Sequence, residues 1–203
     1  KIGSECFRLW KACDAQVGDD FQINPEEIEA KYFGVLTKLF NVARFASQFD
    51  CPENLDEVPD DLPIEDRWII AEFSNTMSKV RQAWANLDIY TATQSLKTFG
   101  TGVLPSHWLE MSKSRLYDDD KNAAWTIHRI VKDFMSAFSP VCPFFTHHIS
   151  STLYSQSAVD VRDFPPALPD DSDLRSLTSS IEEFNGNTWR TKKESGLPLN
   201  API

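Results

Sequence analysis

The sequence predicts an all-α protein, an antiparallel helix bundle with smaller helices packed at one end. Three observations carry that expectation. Apolar residues recur at three- and four-residue steps through nearly the whole chain, and strand-like alternation is confined to residues 159–164. Short polar connectors marked by proline separate the periodic stretches. A chain of 203 residues with 41% hydrophobic content can take roughly 70% of its unfolded surface out of water.

The clearest helix start is Asn24-Pro25-Glu26-Glu27. Asn24 can cap, Pro25 suits the first helical position, and both acids favour the positive end of the helix dipole. The pattern runs to about residue 49 and stops before Asp50-Cys51-Pro52, because a residue preceding proline disfavours helical geometry. Projection at about 100° per residue puts Ile28, Tyr32, Val35, Leu39, Val42, Ala43 and Ala46 on one core-facing stripe. A second long helix begins near Pro63 and carries Trp68, Ile69, Phe73, Thr76, Val80, Ala83 and Trp84 to about Asn86. A third covers roughly residues 91–117 and contains Gly100, Gly102 and Pro105. An interior proline costs about 3 kcal/mol or more unless the helix gives way, so a kink is expected near Pro105.

A fourth helix, about residues 121–138, presents Ile127, Ile130, Val131, Phe134, Met135 and Phe138, and a short fifth spans about residues 143–154. Residues 160–169 are proline-rich and read as extended, and a last helix is expected over about residues 172–186. The bundle is therefore assigned to residues 1–154 and a C-terminal extension to residues 155–203.

The formal charge of -10 excludes a broadly basic, nonspecific nucleic-acid binder. Much of that charge sits in connectors: residues 50–66 hold eight acids and no base, which leaves the helices nearer neutral. Asp118-Asp119-Asp120 reads as a loop and helix-start charge. Cys6, Cys13, Cys51 and Cys142 lack Cys-x-x-Cys spacing and read as reduced thiols, and His147 and His148, adjacent on a helix, diverge by about 100°. No metal site and no catalytic nucleophile–base pair is expected. No run approaches the roughly 20 apolar residues of a membrane span, and the opening Lys1-Ile2-Gly3-Ser4 reads as cut from a longer cytoplasmic protein.

The chemistry-bearing cluster lies on the first long helix. Lys38, Asn41 and Phe45 share a flank about 100° or more from the core stripe. An amide, a cation and a ring together can bond a base edge, meet a phosphate and stack a base, as in recognition of single-stranded RNA loops. The same pattern also suits a Phe45 packed under a neighbouring helix with Lys38 and Asn41 merely solvated.

Residues 36–45, Leu-Thr-Lys-Leu-Phe-Asn-Val-Ala-Arg-Phe, resemble the Lys-Leu-Trp-Asn-x-x-Arg-Phe helix of valyl-tRNA synthetases, with Phe40 where tryptophan is usual. Gly3-Ser4-Glu5-Cys6-Phe7-Arg8 is similar to the stretch that follows the catalytic Lys-Met-Ser-Lys-Ser loop of that family. Asp66-Arg67-Trp68-Ile69, His107-Trp108-Leu109-Glu110 with Lys113, Arg115-Leu116-Tyr117 and Pro143-Phe144-Phe145-Thr146 resemble further segments of its anticodon-binding domain, and Trp189-Arg190-Thr191-Lys192-Lys193 its basic segment after the last helix.

The resemblance implies the anticodon-binding domain of a class I synthetase, a tRNA anticodon arm as partner, and Lys38, Asn41, Arg44 and Phe45 as candidate contacts, Arg44 for backbone phosphate. It implies a parent ligase whose catalytic domain, another partner, uses ATP and Mg, with no cofactor and no activity in this portion. Isoleucyl- and leucyl-tRNA synthetases share the bundle, and a helical protein-interaction module would also suit the acidic charge. Met111-Ser112-Lys113-Ser114 reads as a coincidental echo of the catalytic loop, with Glu110 and Lys113 an ordinary surface pair. Lys192 and Lys193 fit a solvated turn or a phosphate contact.

Overall fold

The computed structural model describes residues 2–14, 18, 22–155 and 164–197. Among them are nine α-helices, one π-helical segment and no strand. The alternation at residues 159–164 and the first part of the extended segment lie outside the described residues, Phe164 excepted; residues 164–171 carry no regular secondary structure, as expected.

Helix α1 (Ser4–Cys13) was not singled out by the sequence reading, although Cys6, Leu9, Trp10 and Cys13 form its buried stripe at three- and four-residue steps. Helix α2 (Pro25–Ala46) buries the expected stripe except Val35, which is half-buried. Its start departs from expectation in one respect. The Asn24 amide donates to the Glu27 carboxylate at 2.7 Å instead of its side chain accepting from a helix amide, because a charged acceptor makes the stronger hydrogen bond.

Helix α3 (Ile64–Ala85) folds back onto α4 (Ile89–Thr98) through a three-residue connection in which Leu87 takes a left-handed conformation, φ 57°. Asp88 caps α4 by accepting from the Thr91 amide. Where a kink is expected near Pro105, the chain forms ten residues of π-helix (Phe99–Trp108), which continue into α5 (Leu109–Tyr117). Proline offers no amide to the four-residue ladder, and the wider repeat absorbs the gap: the Leu109 amide reaches back five residues to the Leu104 carbonyl. Gly100 sits in this segment because a Cβ there would come within 2.7 Å of Leu39 on α2 and 2.8 Å of Phe134.

Helix α6 (Lys121–Phe138) is the central member, packed on α2, α3, α4, α5 and α7 (Pro143–Tyr154), and all six of its anticipated core residues are buried. Asp120 caps it, accepting from the Asn122 and Ala123 amides. The last expected helix is two: α8 (Ser172–Ser176), packed on α3, and α9 (Thr178–Glu194), packed on α8 and the π segment. Helix α9 therefore continues eight residues beyond the anticipated end at Gly186 and includes Trp189, Lys192 and Lys193. The two lysines occupy its last turn, where cations complement the dipole.

Candidate nucleic-acid interface

Helix α2 turns its polar flank away from α6, and the π segment, α5 and α9 rise beside it. Between them runs an open groove of about 800 Å³. Lys38, Asn41 and Phe45 line it together with Thr101, Pro105, Ser106, Glu110, Lys113 and Trp189. The structure thus brings three of the four sequence-derived candidates to one surface. Arg44 is exposed on α2 but does not line the groove.

The four side chains differ in how they are held. Lys38 and Asn41 are exposed. Phe45 is half-buried: its ring meets Phe49 edge-on at 5.1 Å and Tyr117 at 6.1 Å, so one side belongs to a three-ring cluster while another borders the groove. The ring is therefore partly packed and partly open to the groove. Glu110 and Lys113 form the expected ion pair one helical turn apart, so the acid in the groove wall is matched by a cation beside it. Met111-Ser112-Lys113-Ser114 lies inside α5, with Ser112 buried.

The groove stands on a network the sequence did not announce. Asp66, fully buried on α3, receives a two-pronged hydrogen bond from Arg115 of α5 at 3.0 and 2.7 Å, and a third from the Trp108 indole at 2.9 Å. Arg115 also reaches Glu65 and Asp120, at 2.9 and 2.8 Å. The Asp66 hydrogen bonds push the Arg115 guanidinium pKa further up. Burial works against ionising Asp120, but Arg115 and the Ala123 and Asn122 amides hold its carboxyl below the usual carboxylate value. Three segments recognised only as resemblances therefore converge, locking α3, α5 and the α6 N-terminus. The hint was available in principle, since a buried charge needs a buried partner.

Trp189, expected beyond the last helix, lies within α9 and lines the groove. It is stacked on His107 of the π segment, with centroids 5.7 Å apart and planes 16° apart, and His107 accepts from the Asn185 amide at 3.1 Å. Continued helical spacing through Ile181, Asn185, Trp189 and Lys192 would have signalled it.

Fold and groove together define a class: an all-α domain with an open groove whose lining mixes cations, an amide and aromatic rings. The family described as the anticodon-binding domain of tRNA ligase matches residues 66–203, and the chain belongs to that family. Similarity to individual proteins extends over α1 and α2 as well. The valine–tRNA ligase of Saccharolobus solfataricus is 30% identical over 205 residues, covering 100% of this chain and 24% of that protein. Those of Aeropyrum pernix and Haloarcula marismortui are 28% and 29% identical, over 100% and 98% of this chain and 26% and 22% of theirs. The chain spans about a quarter of the length of the curated relatives it matches.

Proposed function

We propose that this chain is the anticodon-arm-binding domain of a valine–tRNA ligase, and that the groove beside α2 receives the anticodon loop. The observation that carries the reading is the convergence of Lys38, Asn41 and Phe45 on one open groove. Asn41 offers two donors and an acceptor to a base edge, Phe45 offers a stacking face, and Lys38 a charge for phosphate. Arg44, outside the groove, meets backbone phosphate and fixes orientation without reading sequence. Valine as the amino acid rests on the names of the relatives, all of which carry the similarity across α2.

In this reading the domain contributes binding and leaves the chemistry, with ATP and Mg, to the catalytic domain of a cytoplasmic parent enzyme. The division of the chain into a bundle at residues 1–154 and an extension at residues 155–203 is part of the same proposal. Binding of valine tRNA by the full-length protein across a salt series tests it. Lys38→Ala is expected to weaken binding and to flatten the log–log salt slope by about 0.7–0.9, one phosphate's worth. Equal affinity for valine tRNA and for the same tRNA with an exchanged anticodon loop would refute anticodon reading.

A further inference from the structure

We infer that Trp189 is a second base-stacking residue of this groove, presented by α9 on the wall that α2 does not supply. The inference rests on the proposed RNA-binding role of the groove and extends it to a helix outside the α2 cluster.

The first argument is that core packing does not use this ring. Helix α9 has 17 residues, none of them fully buried, and among its apolar side chains it is Ile181 that packs against the core. Trp189 is half-buried and borders the groove shared with Lys38, Asn41 and Phe45. A large aromatic at the rim of an open groove is the kind of residue that carries binding energy, since a ring loses little rotational freedom when it meets a ligand.

The second argument is that the ring is held in a defined pose. His107 lies against it in a near-parallel stack, and Asn185, one turn back on α9, donates to that imidazole's Nδ1 at 3.1 Å. A flat aromatic oriented in this way presents its remaining surface as a platform for a planar π-system. Every nucleobase is one.

Charge supplies the third argument. Lys193, four residues on and therefore on the same side of the helix as the ring, is exposed. Lys38 and Lys113 line the groove, and Glu110 is matched by Lys113. A stacking ring with cations on either side suits a single-stranded RNA loop, whose bases need a face and whose backbone needs positive charge.

The test uses the full-length protein with valine tRNA carrying 5-iodouridine in the anticodon loop. Affinity is measured for wild type, Trp189→Ala and Trp189→Phe, ultraviolet cross-links are mapped by peptide, and helix content is followed by circular dichroism. Trp189→Ala is expected to lower affinity about tenfold, Trp189→Phe to restore most of it, and wild type to cross-link within residues 178–194 as well as within α2. Unchanged affinity for Trp189→Ala overturns the inference. So does lost affinity without any wild-type cross-link to α9, which would leave Trp189 only an anchor for that helix; in both cases cross-links in α2 keep the proposed function standing. Absence of tRNA binding by wild type would overturn the proposed function and this inference together.

Discussion

Removing the Phe45 ring separates packing from recognition, because the structure gives that ring both roles. Truncating a fully buried Phe costs about 3–5 kcal/mol. Phe45 is half-buried, so Phe45→Ala is expected to destabilise the domain by about 2 kcal/mol, including the edge contacts to Phe49 and Tyr117. In a chain of this size that lowers the thermal midpoint by about 4–8 °C, and a stability of about 5–15 kcal/mol leaves the variant folded at 25 °C. Loss of one base stack removes a further about 1–3 kcal/mol from tRNA binding, or roughly 5- to 150-fold in affinity. Phe49→Ala is the matched control: it takes a ring from the same cluster but does not line the groove. Thermal denaturation and tRNA affinity are measured for both variants. Comparable destabilisation with an affinity loss confined to Phe45→Ala is the expected result. Equal affinity losses in the two variants would show that Phe45 acts only through packing, and unchanged affinity would remove it from the interface.

Arg115→Met leaves the Asp66 carboxylate buried without its charge partner and is expected to cost about 3–5 kcal/mol, against about 1 kcal/mol for Trp108→Phe, which removes one of the hydrogen bonds; urea denaturation decides whether that ranking holds. Burial depresses the His128 pKa below its ordinary 6.5, opposed more weakly by the Phe49 carbonyl and Asp50. The unfolded chain therefore binds a proton that the folded one refuses, so stability is expected to fall as pH drops from 6.5 toward the depressed value, and His128→Gln should flatten the melting-temperature profile in that window. Burial pushes the Cys13 thiol up to about 11 and raises Cys6, Cys51 and Cys142 as well, but Cys51 is exposed where the other three are buried. Maleimide at neutral pH should modify Cys51 first and the other three only on unfolding, and early labelling of Cys13 would contradict the packing of α1.

Some of this was open to a reader of the sequence because it is periodic. The stripe from Ile28 to Ala46 and the run from Ile127 to Phe138 specify buried helix faces through 3.6-residue spacing, which is a local property of the chain. The same projection that locates the α2 core stripe also locates Lys38, Asn41 and Phe45 off it, so most of the candidate site was visible as a deviation from the pattern. A departure from the α-helical ladder near Pro105 was also legible, since a missing amide is a covalent fact. Its form was not: whether the chain kinks or widens into π turns depends on what packs against Gly100, and Leu39 and Phe134 come from distant parts of the sequence.

Tertiary structure alone decided the remainder. That Asp66 meets Trp108 and Arg115, that Phe45 packs edge-on against Tyr117, and that Trp189 closes the groove from α9 are all pairings across long stretches of chain. Helical periodicity states which face of each helix seeks a partner but not which helix supplies it, and side-chain partners are chosen by packing and charge once the helices have docked.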